Sequence, residues 1–281
     1  MKGYDHTMTN LLSDFPVFDF QPGHVPVLLT LPHSGTDLPP GMAARMTPYG
    51  QQLPDTDWYI DQLYTAHARE RGIGVIRARY SRYVVDLNRG ADDAILYPGR
   101  PSTGLVPSLA FDGTPIYQAG QEPDQNEIHD RTAAFWKPYH DAVGQELERL
   151  KSQHGWAVLW DGHSIQTHIP RLFEGRLPDL NIGTNSGASC DGLLQDRIKA
   201  HAESLSGYTH VVNGRFRGGY TTRHYGQPDR GFHAVQMEIA QSTYLQREEA
   251  PWPLDETAFR KLSTAMAGFL DTVLDWTPQV R

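Results

Sequence analysis

Two histidines in this sequence leave apolar runs beside glycine: His33 in Leu31-Pro32-His33-Ser34-Gly35 and His163 in Trp160-Asp161-Gly162-His163-Ser164. Three further polar clusters accompany them: Asp55-Thr56-Asp57, then Ser81-Arg82-Tyr83-Val84-Val85-Asp86-Leu87-Asn88-Arg89, then Gln236-Met237-Glu238-Ile239. A catalytic zinc ion takes three protein ligands from nitrogen and oxygen donors and keeps one position for water. His33, Asp57 and His163 can supply that set. A carboxylate outside the ligand set can take the proton of the attacking water, and Glu238 is suited to it. Arginine grips carboxylates through paired, charge-assisted hydrogen bonds, which Arg82 and Arg89 can provide. The chemistry these residue types support is metal-assisted hydrolysis of a small anionic substrate.

Each cluster also has an ordinary structural explanation. Strand-end histidines are more often partly buried residues without a chemical task. Asp55 can cap a helix N-terminus, with Asp57 as a first-turn acid favoured by the helix dipole. Arg82 and Asp86 can form a structural ion pair, and Glu238 can face solvent on an edge strand. Together, though, the clusters supply ligands, base and substrate clamps at strand ends, where open α/β sheets place ligands. The ligands are dispersed and no HExxH helix is present, so spacing alone does not decide.

The elements that must position these residues are readable from apolar patterning. Runs of strand length occupy 25–31, 75–78, 83–87, 157–160 and 234–237, apolar enough to predict strands covered on both faces. Helical spacing appears in Ile60, Leu63, Tyr64 and His67 before Gly72, and in Val143, Leu147 and Leu150 before Gly155. Leu193, Leu194, Ile198 and Leu205 mark another helix. The last runs through Phe259, Leu262, Met266, Phe269 and Val273, with Asp255 as N-cap and Pro278 beyond its end. Residues 90–123, rich in proline and glycine without clear periodicity, predict a long loop of the kind that covers a site or moves.

Composition bounds the remaining possibilities. A chain of 281 residues with 39% hydrophobic and 21% charged residues predicts a globular protein, read here as a single domain over 1–281. It can bury a substantial core without a structural metal, so any metal is expected to be chemical. A net charge of −8 without a basic run argues against nucleic acid as a partner. No apolar stretch approaches the roughly 20 residues of a membrane helix. The polar residues 1–10 lack the apolar core of a signal peptide and are expected to form a flexible extension, with Met8 as an alternative start. The single cysteine, Cys190, rules out an internal disulfide framework and fits a reducing cytoplasm.

The five clusters, taken in order along the chain, resemble the N-formylglutamate amidohydrolase (deformylase) family, and the Arg-Tyr-Val-Val-Asp-Leu-Asn-Arg stretch ending at Arg89 is the most specific piece. The resemblance implies hydrolysis of N-formyl-L-glutamate to glutamate and formate, the closing step of one histidine-degradation route, with zinc or another divalent metal. It also implies a zinc-carboxypeptidase-like α/β fold, a three-layer α/β/α sandwich with a mixed central sheet. Asp86-Leu87-Asn88-Arg89 is similar to the substrate-binding signature of aspartoacylase and succinylglutamate desuccinylase, which implies that Asn88 and Arg89 hold a substrate carboxylate, and Arg82 less directly. Those relatives take an acidic ligand three residues after the first histidine, where this chain has Thr36. Asp57 is therefore preferred as the acidic ligand over Asp55 or Asp37. In the stretch 218–226, Arg223 can grip the second carboxylate of a glutamate product or belong to an ordinary surface turn. The neighbouring readings are the same chemistry on another N-acyl acidic amino acid, a small carboxypeptidase, or a carboxylate-binding protein without catalysis.

Overall fold

The apolar runs at 25–31, 75–78, 157–160 and 234–237 become the centre of one sheet. In the computed structural model, which describes residues 16–94, 99 and 103–279, the strands are β1 (Phe18–Gln21), β2 (Val27–Leu31), β3 (Gly74–Ala78), β4 (Ala157–Ile165), β5 (Leu180–Gly183), β6 (His210–Val212) and β7 (Phe232–Ala240). Their order across the sheet is β1-β3-β2-β4-β7-β5-β6. β3, β2, β4 and β7 are mutually parallel; β1 pairs antiparallel with β3, and β5 antiparallel with β7. The sheet is thus mixed, as expected. The extension expected over 1–10, with Met8, lies outside the described residues.

The helices are α1 (Met42–Arg45), α2 (Ile60–Glu70), α3 (Gln125–Arg131), α4 (Lys137–His154), α5 (Gly192–Ser204), α6 (Tyr220–Tyr225) and α7 (Glu256–Leu274), with a π-helical turn, Thr132–Trp136, joining α3 to α4. Alternation along the strands sorts the core into two layers. Leu29, Leu31, Val158, Trp160 and Met237 pack with Leu63 of α2, Ile198 of α5 and Phe269 of α7. Leu28, Ile76, Leu159 and Ala234 pack on the opposite side with Tyr139, Val143 and Leu147 of α4. Each fully buried Leu or Phe contributes about 1.5–3 kcal/mol, so a core on this scale does not need an ion to fold. The predicted α7 cap is present: the Asp255 carboxylate accepts from the Thr257 and Ala258 amides, both at 3.0 Å. The α4 stop is present too, at Gly155 with φ 85°, a left-handed conformation that favours glycine.

Two expectations need correction. Residues 83–87 form no strand: the chain turns there, with the Val84 amide on the Ser81 carbonyl at 2.8 Å and the Asp86 amide on the Leu105 carbonyl at 2.7 Å. The run is apolar because Tyr83, Val84, Val85 and Leu87 fill the α4-side core as loop residues. On α5, Leu194 and Ile198 face inward with Ala202, while Leu193 is exposed and Leu205 follows the last turn. The short strands β1, β5 and β6 carry too few residues for a periodic signal. Residues 90–123 contain no strand or helix among the described residues.

Candidate metal centre

The site grows out of the sheet by the same two-residue period that builds the core. On β4 the α4-facing positions run Ala157, Leu159, Asp161, His163, and on β7 they run Phe232, Ala234, Gln236, Glu238. Toward the strand C-termini this face turns from apolar to polar. Register then sets Asp161 beside Gln236 and His163 beside Glu238. His33 follows β2 by two residues, and its carbonyl accepts the Asp57 amide at 3.0 Å, so the loop carrying Asp57 is tied to the loop carrying His33.

One ligand atom from each of His33, Asp57 and His163 falls within 4.8 Å of the others, and all three residues are buried. The Asp57 Oδ2 atom lies 3.2 Å from His163 Nδ1 and 3.8 Å from His33 Nδ1. The far nitrogens face other carboxylates: His33 Nε2 is hydrogen-bonded to Asp86 Oδ1 at 2.8 Å, and His163 Nε2 lies 2.9 Å from Asp161 Oδ2, an ion-pair contact, and 3.2 Å from the Asn88 amino group. Metal-binding histidines are commonly backed this way, because a carboxylate on one ring nitrogen fixes the tautomer that leaves the other as a donor. Among the described residues, His33 Nδ1 and Asp57 Oδ1 are buried without a hydrogen-bond partner, an expensive arrangement unless a cation completes it. The electrostatics agree. Burial works against a charge on His163, yet Asp161 and Asp57 outweigh it and hold its pKa well above the usual range. The same negative surroundings also attract a metal cation, which must displace that proton to bind.

The other candidate acids are engaged elsewhere. Asp55 accepts from the Tyr83 hydroxyl at 2.8 Å and the Phe111 amide at 2.9 Å, and burial raises its pKa to about 6. Asp37 pairs with Arg79 at the surface, 3.3 Å away. Neither Asp55 nor Asp57 caps α2, whose N-cap is Tyr59 and whose first-turn acid is Asp61.

Glu238 is buried on a strand flanked by β4 and β5, not on a sheet edge. Burial, reinforced by Asp57, raises its pKa to about 8 against the opposing pull of His163, Arg82 and Gln236. Gln236 donates from Nε2 to Glu238 Oε2 at 2.9 Å and accepts the Gly219 amide on Oε1 at 2.8 Å. Because Gly219 N–H can only donate, it sets which end of the Gln236 amide faces Glu238. Gly219 is held from the other side by Asn88, whose side chain lies 2.4–2.5 Å from where a Cβ would stand, so no larger residue fits. The Thr221 amide donates to Asn88 Oδ1 at 2.9 Å, which leaves the Asn88 amino group beside His163 Nε2 at 3.2 Å.

Arg82 donates to Asp86 Oδ2 at 2.6 Å, lies 3.9 Å from Asp57 Oδ1 and stacks over Phe111 with its guanidinium carbon 4.5 Å from the ring centre. Although burial works against its charge, Asp86, Asp57 and Asp55 raise its pKa. The same Asp86 accepts the Asn88 amide at 2.9 Å, and Arg82, His33 and Arg89 keep it ionised, its pKa well below normal despite burial. His33, His163, Glu238, Arg82, Asn88 and Arg89 all line one cavity of about 110 Å³. A wider groove of about 460 Å³ at the β1 edge, lined by Asp19, Phe20 and Arg77 among others, contains none of them.

Arg223 is not among the residues lining the 110 Å³ cavity; its Nε donates to the Gly218 carbonyl at 2.9 Å. Arg215 lines the cavity in its stead, along with Phe111 and Thr103 from the long loop. Sequence reasoning gave no role to Asp161 or Gln236, although both stand inside quoted motifs. Their two-residue offsets from His163 and Glu238 are the signal that points to them.

A family model for N-formylglutamate amidohydrolase matches residues 25–245. The chain is 47% identical over 260 residues to N-formylglutamate deformylase of Pseudomonas aeruginosa, covering 92% of this chain and 97% of that one. It is 44% identical over 260 residues to the protein of the same name from Pseudomonas putida, covering 92% and 96%. Among solved structures, N-formylglutamate amidohydrolase of Ralstonia eutropha matches with a TM-score of 0.76 at 23% identity, covering 91% of this chain and 97% of that one, a likeness of fold. By sequence along most of its length, the chain belongs to the N-formylglutamate amidohydrolase family.

Proposed function

We propose that this protein hydrolyses N-formyl-L-glutamate to L-glutamate and formate, with one zinc ion held by His33, Asp57 and His163. The observation that carries this reading is the meeting, in one small cavity, of two carboxylate-backed histidines, a buried glutamate and a wall of arginines. Two imidazole nitrogens and one carboxylate suit zinc better than magnesium or calcium, which favour all-oxygen sites. When bound, the ion supplies Lewis-acid polarisation of the formyl oxygen and a nucleophile at neutral pH.

The remaining work falls to the chain. Glu238, which lines the cavity with His33 and His163, takes a proton from the attacking water and passes it to the leaving amine. Gln236 holds the carboxylate in place while it does so. Arg82, fixed by Asp86 and Phe111, offers positive charge where the carbonyl oxygen gains negative charge. Asn88 and Arg89 hold the carboxylate nearest the scissile amide. The reaction closes one route of histidine degradation, and we place it in the cytoplasm, where the buried Cys190 stays reduced.

The test is formate release from N-formyl-L-glutamate by purified protein, with and without added zinc, cobalt or manganese, beside acetate release from N-acetyl-L-glutamate and N-acetyl-L-aspartate. Turnover of an acetyl substrate in preference to the formyl one would reassign the acyl group. No turnover of any substrate by metal-loaded protein would leave a carboxylate-binding protein.

A further inference from the structure

N-formylglutamate carries two carboxylates, and they lie at different distances from the bond that breaks. The α-carboxylate sits on the carbon bearing the scissile nitrogen, so it must stay close to the metal centre. The side-chain carboxylate lies two methylenes farther out. Asn88, with its amide 3.2 Å from His163 Nε2, and the adjoining Arg89 are placed for the nearer group. Arg82, bound to Asp86, belongs to the metal centre itself.

Arg215 stands elsewhere on the cavity wall, among apolar neighbours. Leu172, Phe216 and Ile165 line the cavity with it and belong to a small apolar cluster separate from the two main cores. The Arg215 Nε donates to the Leu172 carbonyl at 3.0 Å, and its guanidinium carbon lies 5.1 Å from the centre of the Phe216 ring. The head group is therefore oriented by the residues that form the apolar wall. An apolar surface ending in a guanidinium is the complement of two methylenes ending in a carboxylate, and a half-buried setting strengthens the charge pairing.

Resting on the proposed function, we propose that Arg215 is the specificity-determining residue for the side-chain carboxylate, which makes the enzyme selective for formylated acidic amino acids over their neutral isosteres.

The test crosses two substrates with three variants. N-formyl-L-glutamine has nearly the shape of N-formyl-L-glutamate but lacks the side-chain charge. Arg215→Met should lower kcat/KM on formylglutamate by about 10- to 100-fold, the usual worth of a hydrogen-bonded charge. On formylglutamine the same variant should change by less than about threefold, with metal content unaltered. Arg215→Lys should keep part of the preference, since it restores charge without the planar fork. Arg89→Met should weaken both substrates alike, because the α-carboxylate is common to them. Equal losses on the two substrates for Arg215→Met, or an unchanged preference for the charged one, would overturn the assignment. Product inhibition of the wild-type enzyme gives a check that needs no variant: L-glutamate should inhibit more strongly than L-glutamine, and equal inhibition would also overturn it. A metal-loaded wild type that ignores formylglutamate but hydrolyses formylglutamine would instead reject the proposed function, and this assignment with it.

Discussion

Replacing Glu238 with glutamine separates stability from chemistry. In the metal-free protein burial raises the Glu238 pKa to about 8, against about 4.3 in an unfolded chain. The folded pKa of this acid is raised, so its ionisation opposes folding. The cost is absent below about pH 4, grows through the interval up to about 8, and is complete above it. At pH 7 most of that cost is present, on the order of a few kcal/mol. Glu238→Gln keeps the shape and can still accept from Gln236, but it never carries the charge. The metal-free variant should therefore melt several degrees above metal-free wild type at pH 7 and level with it at about pH 4. A bound cation offsets the same cost, so the gap should narrow in metal-loaded protein. The variant should still hold one ion per chain, since His33, Asp57 and His163 are untouched. Its kcat should fall roughly 10²- to 10⁴-fold, the usual worth of a positioned proton carrier, with little change in KM. Metal content, formate release and melting curves on one preparation test all of this together. A kcat within about threefold of wild type would refute the role of base. Loss of metal together with rate would make Glu238 a ligand and displace Asp57.

Chelation should abolish hydrolysis while far-ultraviolet circular dichroism stays close to that of the loaded protein; full activity in verified metal-free protein would end the metal reading. Arg89→Lys should lower kcat/KM for formylglutamate by about 10-fold or more, because lysine cannot reproduce a two-pronged contact. His140, whose Nε2–H meets the Leu87 carbonyl at 2.9 Å, is lowered by burial to about 4. Its unfolded form takes up a proton near pH 6.5, so stability is full above that value and is lost as pH falls toward 4, by up to roughly 3 kcal/mol. Denaturant midpoints of His140→Gln should accordingly change less between pH 7 and pH 4.5 than those of wild type.

The sequence makes His33, His163 and Glu238 readable because each follows or sits in an apolar run of strand length, and those three runs do form the strands β2, β4 and β7. Choosing Asp57 over Asp55 needs three-dimensional information: the two acids are two residues apart, and only their partners tell them apart, Tyr83 and Phe111 for one and His163 for the other. The two-residue offsets of Asp161 and Gln236 put them on the same face as His163 and Glu238, but the register that sets them side by side on β4 and β7 is not written in either strand alone. Arg215 and Arg223 flank the same glycines, and which of them reaches the cavity depends on how the backbone turns at Gly218, where φ is 113°. The apolar run 83–87 reads as a strand because burial in a loop and burial in a sheet leave the same composition.

Asp86 has a consequence for how the protein handles its two ligands. One of its oxygens holds His33 and the Asn88 amide, and the other holds Arg82. A single carboxylate thus joins His33, the proposed metal ligand, to Arg82, proposed to stabilise the oxyanion, and to the backbone of Asn88. If the proposed function holds, we expect an adjustment of His33 on metal binding to reach Asn88 through this shared carboxylate, and the ordering of Asn88 around a substrate to steady His33. Free-energy coupling between two binding events is reciprocal. Whatever factor couples the two is the same in both directions, so on the proposed function we expect protein saturated with substrate to lose its ion to a competing chelator more slowly than substrate-free protein.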